Sequence, residues 1–135
     1  MADKQAITEL LGKGGWAYDT PDIDFLADMF TTDGTFDLSI DGMGQVGSFA
    51  GRAEIRKLYE DSLASQEDQR RHVVTNIFFE DETDDSVTAI SYLVLIAVKD
   101  GALNVISSGV YKDRVVLDDG TWRIVHRDLH LDLPY

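Results

Sequence analysis

The sequence contains no cysteine among its 135 residues. Disulfide bonds, thiolate nucleophiles, iron–sulfur clusters and cysteine-ligated zinc sites are therefore excluded. The sequence also lacks repeats, low-complexity tracts and linkers rich in proline or serine, and it has only two prolines in all. Because 44% of the residues are hydrophobic, the composition predicts a single globular domain that spans residues 1–135.

Positive charge is the second deficit. Twelve Lys and Arg stand against 25 Asp and Glu, which gives a formal net charge of −13. This surplus repels phosphate backbones and anionic lipid headgroups, so binding to nucleic acids or membrane surfaces is not expected. No apolar run reaches the roughly 18 residues that a membrane span requires. The first ten residues, MADKQAITEL, lack the apolar core of a signal peptide, and we expect a cytoplasmic location.

Helical periodicity extends over residues 3–65. Apolar residues share one face of a first helix, but glycines are expected to interrupt that helix, each at a cost of about 1 kcal/mol relative to Ala. These glycines are Gly12, Gly14 and Gly15. A second helix is predicted to begin at Thr20 as its N-cap, with Pro21 in its first turn, and to end near Gly34.

Strand patterns dominate the second half of the chain. Four runs rich in Val, Ile, Tyr and Phe are predicted to be strands, at residues 71–80, 87–99, 103–117 and 121–133. Asp100-Gly101 and Asp119-Gly120 are hairpin turn signals. A short strand (residues 35–40) and a third helix (52–64) precede them, so the order predicts an α+β domain with helices on one face of a curved sheet. The open end of such a sheet is a natural place for a ligand pocket.

His72 is the most informative candidate for chemistry. Strand alternation over residues 71–80 places His72, Val74, Asn76 and Phe78 on one face. Because both faces of this run are largely apolar, we interpret it as a central strand that directs His72 and Asn76 into an apolar space. The alternative is a core histidine whose ring is satisfied by one hydrogen bond.

Tyr18 and Asp19 form a second candidate, at the junction of the first two predicted helices. Tyr18 lies on the apolar stripe, so its ring is expected to be buried and its hydroxyl to seek a partner. Asp19 precedes Thr20-Pro21, and its alternative interpretation is a turn residue between helices.

Several segments together resemble proteins of the SnoaL-like family, within the superfamily whose fold is named after nuclear transport factor two. The resemblance covers nearly the whole chain and is carried by residues 18–26, 30–36, 49–55, 71–76 and 120–124. It implies a cone-shaped α+β barrel, in which a curved mixed or antiparallel sheet wraps around N-terminal helices. That fold hosts isomerases, dehydratases, cyclases, epoxide hydrolases and non-catalytic subunits, so it does not by itself specify a function.

Within this superfamily, the sequence is most similar to the branch of scytalone dehydratase, a bile-acid dehydratase and a hexachlorocyclohexane dehydrochlorinase. Asp19 and His72 match the aspartate and histidine of that branch, and Tyr18 matches a tyrosine of scytalone dehydratase. The resemblance implies a cofactor-independent lyase that acts on a small cyclic hydrophobic substrate by dehydratase-type β-elimination. An isomerase or polyketide cyclase with the same residues, and a non-catalytic binding or accessory protein, are the alternatives.

The chemistry of an imidazole and a carboxylate accounts for the pairing of His72 with Asp19. A neutral imidazole can take a proton from the carbon next to a carbonyl and return one to a departing hydroxyl. A carboxylate on the other ring nitrogen fixes the tautomer and stabilises the imidazolium. Tyr18 is expected to hydrogen-bond the carbonyl oxygen as enolate charge develops.

The substrate-binding positions depart from the scytalone dehydratase pattern. Leu38 stands where that enzyme has a second tyrosine, and Leu95 and Val110 replace a histidine and an asparagine, whereas Ser108 is kept. The resemblance therefore implies a ligand that is more apolar than scytalone.

Further candidates surround these residues. Arg127 is a candidate anion or carbonyl binder, with an exposed or interface arginine as the alternative. His and Asp alternate with Leu over residues 126–132, which is typical of a half-exposed strand, so neither a metal site nor any cofactor is expected. Four aromatic residues are candidates for the cavity lining, with plain core positions as the alternative: Trp16, Phe36, Tyr92 and Tyr111.

The outer face of the sheet is the expected contact between subunits. Relatives of this fold are usually dimers or trimers, so the resemblance implies a homo-oligomer. Leu129, Leu131 and Leu133 share one side of the last strand and are expected at that interface.

Overall fold

The chain folds into three helices and six strands in the computed structural model, which describes residues 1–135. The elements are α1 (Lys4–Asp19), α2 (Ile23–Asp28), β1 (Phe30–Ile40), β2 (Gly44–Ala50), α3 (Arg52–Ala64), β3 (Gln69–Glu80), β4 (Ser86–Lys99), β5 (Ala102–Asp118) and β6 (Thr121–Leu131). None of the three helices has the length and apolar character that a membrane crossing demands.

The six strands form one mixed sheet in the order β2-β1-β6-β5-β4-β3. Strands β1 and β6 pair in parallel, and every other pair is antiparallel. The sheet does not close on itself, because β2 and β3 are its two edges. Helix α1 packs against β3, and α3 packs against β1 and β2. This arrangement confirms the predicted cone-shaped α+β fold.

Both predicted hairpin turns are present. Asp100, Gly101, Asp119 and Gly120 all have positive φ angles, between 49° and 81°. Two successive residues with positive φ are what a type I′ turn requires, and Asp-Gly is a preferred pair for it.

The second helix differs from the prediction at both ends. Its N-cap is Asp22, whose side chain accepts the Phe25 N–H, whereas Thr20 caps the end of α1 by donating from Oγ1 to the Trp16 carbonyl. Strand β1 begins at Phe30, within the region expected to be helical. Strand β2 was not predicted, because GQVGSFA has two glycines and little apolar alternation.

The glycines of α1 do not interrupt the helix. A Cβ on Gly14 would lie 2.5 Å from the Met29 side chain, and a Cβ on Gly15 would lie 3.0 Å from the His72 carbonyl oxygen. The absence of side chains therefore allows the helix to lie directly against β3 and the end of α2, while Gly12 contacts nothing.

Strand β3 is an edge strand, not the central strand that its apolar faces suggested. Its pairing with β4 shifts between Thr75 and Phe78, where Asn76 has a φ of 56°. This β-bulge inserts one extra residue and reverses the side on which the following side chains lie. Phe78 is 51% exposed, and Ile77 and Phe79 pack on the core instead.

The inner face of the sheet and the helices enclose the hydrophobic core. Leu129 and Leu131 belong to this core, with exposed fractions of 7% and 2%, whereas Leu133 is 60% exposed. The expectation that these three leucines form an outer interface is therefore wrong, because β6 directs Leu129 and Leu131 into the cone.

Candidate active site

The structure brings Asp19 and His72 into direct contact. Asp19 Oδ1 lies 2.7 Å from His72 Nδ1, and both side chains are less than a tenth exposed. Because a carboxylate can only accept, Nδ1 of the neutral ring carries the proton and Nε2 carries the lone pair. Nε2 has no hydrogen-bond partner in the protein, and the His72 side chain lines a cavity.

Asp19 also binds the backbone of β3. Its Oδ2 and Oδ1 accept the N–H of His72 at 3.0 and 3.2 Å. Asp19 is the last residue of α1, where a negative charge opposes the helix dipole at a cost of about 0.3–1 kcal/mol. The N–H and the imidazole offset this cost, and a residue that breaks a local rule in this way is typical of functional sites.

Tyr18 packs beside the Asp19–His72 pair. Its ring centroid lies 4.2 Å from that of His72, with the planes tilted by 46°. Burial raises the pKa of the Tyr18 phenol to about 12, while the polar Ser62 nearby partly opposes the rise. The phenol is therefore protonated at neutral pH and can donate a hydrogen bond to a ligand oxygen.

A mostly apolar cavity of about 60 Å³ lies in front of His72. Phe36, Leu38 and Tyr111 are among the residues of its wall. The mouth is framed by residues with partly exposed side chains, namely Leu58, Ser62, Arg70 and Tyr135. This volume is well below the roughly 150 Å³ that accommodates a benzene ring, so the cavity admits only part of a cyclic ligand.

A buried ion pair lies deeper in the cone. Arg127 donates from Nε to Asp113 Oδ1 at 2.8 Å and from Nη2 to Oδ2 at 3.0 Å. Its guanidinium carbon is 4.2 Å from the ring centroid of Tyr111. Burial alone would lower the pKa of Arg127, but the Asp113 carboxylate offsets this and holds the pKa above its ordinary value. Arg127, Tyr111 and His72 share a second hollow of about 20 Å³, so the cation lies at the inner end of the site.

Four of the predicted substrate-binding residues lie away from the cavity. Trp16 and Tyr92 are 68% and 52% exposed, and Asn76 is exposed at the bulge. Ser108 donates to Asp132 on the outer side of β5, because alternation on this strand buries its neighbours Ser107 and Gly109 instead. Leu38 and Arg127 are the two that line the hollows, along with the aromatic candidates Phe36 and Tyr111.

Two residues of the site were not predicted from the sequence. Tyr59 lines both hollows and lies one turn after Ile55 on the buried face of α3, so helical periodicity indicates its burial but not its place in the site. Asp113 would pair with His126 if the hairpin at Asp119-Gly120 were regular. An irregularity between Arg114 and Val115 moves the pairing by one residue and places Asp113 opposite Arg127.

Comparisons with known proteins give one family. The model of the SnoaL-like domain family matches residues 1–128. A search among proteins of curated function found no significant match.

Solved structures share the fold. Rv3472 of Mycobacterium tuberculosis, a protein of unknown function, has a TM-score of 0.82 and 28% identity over 96% of this chain and 72% of its own. ActVI-ORFA of Streptomyces coelicolor has a TM-score of 0.82 and 25% identity over 97% of this chain and 98% of its own. A Novosphingobium aromaticivorans protein provisionally named a scytalone dehydratase has a TM-score of 0.79 over 97% of this chain and 85% of its own, and at 21% identity it shows similarity of fold alone.

Proposed function

The chain belongs to the SnoaL-like domain family, whose nuclear transport factor two-like fold serves small-molecule binding and catalysis, and we propose that it is a cofactor-independent lyase. The proposed reaction is a dehydratase-type β-elimination on a small cyclic hydrophobic ketone. The observation that carries the proposal is the Asp19–His72 hydrogen bond of 2.7 Å, which leaves Nε2 without a partner at the wall of an apolar cavity.

In the proposed mechanism, His72 Nε2 takes a proton from the carbon next to the ring carbonyl. Asp19 stabilises the imidazolium that forms, and the Tyr18 phenol donates to the carbonyl oxygen as it becomes an enolate. The enolate then expels the hydroxyl group from the β-carbon, and the imidazolium gives its proton to that group. The products are a conjugated enone and water, and His72 is neutral again. Positioned acid–base catalysis of this kind contributes roughly 10²- to 10⁴-fold.

Two residues of the interior are assigned supporting roles. Leu38 provides an apolar wall, which favours a hydrophobic ring. Arg127 lines the inner hollow, where the guanidinium N–H groups that are not bound to Asp113 can donate to a ligand oxygen. An isomerase or a polyketide cyclase would use the same proton abstraction and differ in the fate of the enolate.

A non-catalytic binding protein is the second candidate function. It is favoured by the small volume of the cavity and by the bonds from Asp19 to the His72 N–H. Those bonds hold α1 to β3 whether or not His72 moves a proton, so a protein that only binds ligands would retain the same geometry.

We also propose a homo-oligomer that forms through the outer face of the sheet. Strands β3, β4 and β5 expose large apolar side chains on that face: Val73, Phe78, Tyr92, Val98, Leu103 and Val105. Contiguous apolar surface of this kind marks interaction sites. Light scattering coupled to gel filtration is expected to give the mass of a dimer or trimer, and a monomer would contradict the proposal.

Deuterium exchange tests the proton transfer without knowledge of the natural leaving group. Cyclic ketones are incubated with the protein in D₂O, and deuterium incorporation next to the carbonyl is followed by NMR. Dehydration is followed as the appearance of cyclohexenone from 3-hydroxycyclohexanone. We expect exchange with the unmodified protein, and a decrease of at least about 10²-fold in His72→Ala and Asp19→Asn.

His130→Ala is the matched control, because His130 is an exposed histidine whose ring hydrogen-bonds to Ser39. Its exchange rate is expected to stay near that of the unmodified protein, and circular dichroism is expected to show that all variants remain folded. Exchange that persists in His72→Ala, or no exchange with any ketone, would reject the lyase and favour the binding protein.

A further inference from the structure

A groove runs along the outside of α3 and ends at the mouth of the cavity. Its helical residues recur at spacings that place them in one stripe, and Phe49 of β2 forms the opposite side. We call this the α3 groove, and it consists of Phe49, Glu54, Lys57, Leu58, Asp61 and Ser62. The stripe spans nine residues, and the eight steps between its ends correspond to about 12 Å of helix.

The groove and the cavity share a wall. Leu58 and Ser62 line both spaces, so a ligand that leaves the mouth enters the groove directly. Aromatic contacts continue across this boundary, because Phe49 packs edge-on against Phe36 of the cavity with ring centroids 6.3 Å apart. The two spaces therefore adjoin at Leu58 and Ser62.

The volumes of the two spaces differ greatly. The cavity holds about 60 Å³, whereas the groove is an open depression of about 450 Å³ on the surface. A ketone ring can place its carbonyl and adjacent carbon beside His72, but the remainder of a larger substrate has to lie outside the cavity. The groove adjoins the cavity, and two of its six residues, Phe49 and Leu58, offer apolar contacts.

The charged groups of the groove indicate the chemistry of that remainder. Lys57 pairs with Asp61 at 3.1 Å, which neutralises both charges. Glu54 accepts the Ala50 N–H through Oε2 and leaves Oε1 as a free acceptor. An uncharged hydroxyl group can donate to this oxygen, whereas an anionic group would be repelled.

We propose that the α3 groove binds the non-reacting end of the substrate, an apolar ring system that bears a hydroxyl group and is attached to the ketone ring. This inference rests on the proposed function for the orientation of the ketone. It assigns Phe49 and Leu58 to the apolar contact and Glu54 to the hydroxyl group.

Three ligands of increasing length test the proposal: cyclohexanone, 4-phenylcyclohexanone and 4-(4-hydroxyphenyl)cyclohexanone. Dissociation constants are measured by NMR titration with the full chain. We expect the two longer ketones to bind at least about tenfold more tightly than cyclohexanone, because they bury an additional ring. Phe49→Ala is expected to remove most of that gain.

Glu54→Gln is a second variant that keeps the fold, since its site on α3 is solvent-exposed. It is expected to weaken the hydroxylated ketone about threefold and to leave 4-phenylcyclohexanone unchanged. Val46→Ala is the matched control on the same strand as Phe49, because Val46 is 44% exposed and lies outside the groove. It should alter none of the three constants.

Equal affinities for the three ketones, or a loss in Phe49→Ala that is the same for all of them, would overturn the groove proposal. Deuterium exchange in the same samples separates this result from a failure of the proposed function. Length-dependent binding without deuterium exchange would support the groove and reject the lyase. Deuterium exchange without length-dependent binding would support the lyase and reject the groove.

Discussion

At the scale of single residues, Gly15 determines how closely α1 approaches His72. A Cβ at this position would lie 3.0 Å from the His72 carbonyl oxygen and 3.2 Å from its Cβ, so Gly15→Ala has to move the helix by a few tenths of an ångström. Because catalysis depends steeply on such displacements, we expect the exchange rate to fall about tenfold. This rate is measured as deuterium incorporation into a cyclic ketone.

Gly12→Ala is the control for that experiment, because nothing lies within 4 Å of a Cβ at Gly12. Alanine is the better helix former, so this variant is expected to gain up to about 1 kcal/mol in the free energy of unfolding at an unchanged exchange rate. If both variants lose activity equally, the helix as a whole and not its contact with His72 would be responsible.

Asn76 adopts a left-handed backbone conformation, with a φ of 56°. Glycine adopts this conformation without strain, whereas a β-branched residue does not. Asn76→Gly is therefore expected to leave stability unchanged or slightly raised, and Asn76→Val to lower it by about 1–3 kcal/mol. Urea denaturation measures both values, and equal stabilities would show that the bulge relaxes.

At the scale of elements, one buried charge pair joins β5 to β6. Asp113 is 0% exposed and Arg127 is 5% exposed. Asp113→Leu leaves a guanidinium without its partner, and we expect a loss of about 3–5 kcal/mol. In the double variant Asp113→Leu/Arg127→Met no charge remains buried, so most of this loss should be recovered.

A double-mutant cycle in urea measures the coupling between the two positions. Additive losses in the single and double variants would contradict the expectation, because they would mean that the two side chains stabilise the strands independently of one another.

The elements that a short stretch of sequence specifies by itself were predicted correctly. The helix at residues 52–64 has a clear apolar face, and Asp100-Gly101 and Asp119-Gly120 fix their own turns, so α3 and two hairpins were predicted correctly. The irregularities in the strands were not. One extra residue at Asn76 moves Phe78 to the outside, and a shift near Arg114 creates the pair of Asp113 and Arg127. Such shifts depend on the twist of the assembled sheet, which alternation along one strand does not report.

The approach of Asp19 to His72 was expected only through the resemblance to a family, because 53 residues separate the two in the sequence. Neither the sequence at the end of α1 nor the strand pattern of β3 predicts that these two side chains lie in contact. Their catalytic roles stay predictions until exchange is measured.

At the scale of the whole molecule, buried tyrosines link stability to alkaline pH. Burial raises the pKa of Tyr18 to about 12 and also raises the pKa values of Tyr59 and Tyr111. In the unfolded chain these phenols ionise near pH 10. The unfolded state therefore loses protons first, so their contribution to stability is complete below about pH 10 and is lost as the pH rises through the folded values.

We expect the urea midpoint to fall between about pH 9 and about pH 11, and to fall less in Tyr18→Phe than in the unmodified protein. Denaturation at several pH values, followed by circular dichroism, measures this. Identical slopes for the two proteins would show that Tyr18 has the same pKa in the folded and unfolded states.

A single domain over residues 1–135 and a cytoplasmic location also stay predictions at this scale.

The open sheet has a consequence for solubility. An exposed edge strand offers unpaired backbone groups to which a second chain can add a strand, and this is how amyloid-like aggregates grow. On β3, Asp19 already occupies the N–H of His72, and the bulge at Asn76 interrupts the regular row of donors and acceptors. At the β3 edge, the carboxylate of Asp19 thus removes one backbone donor that intermolecular strand addition would use.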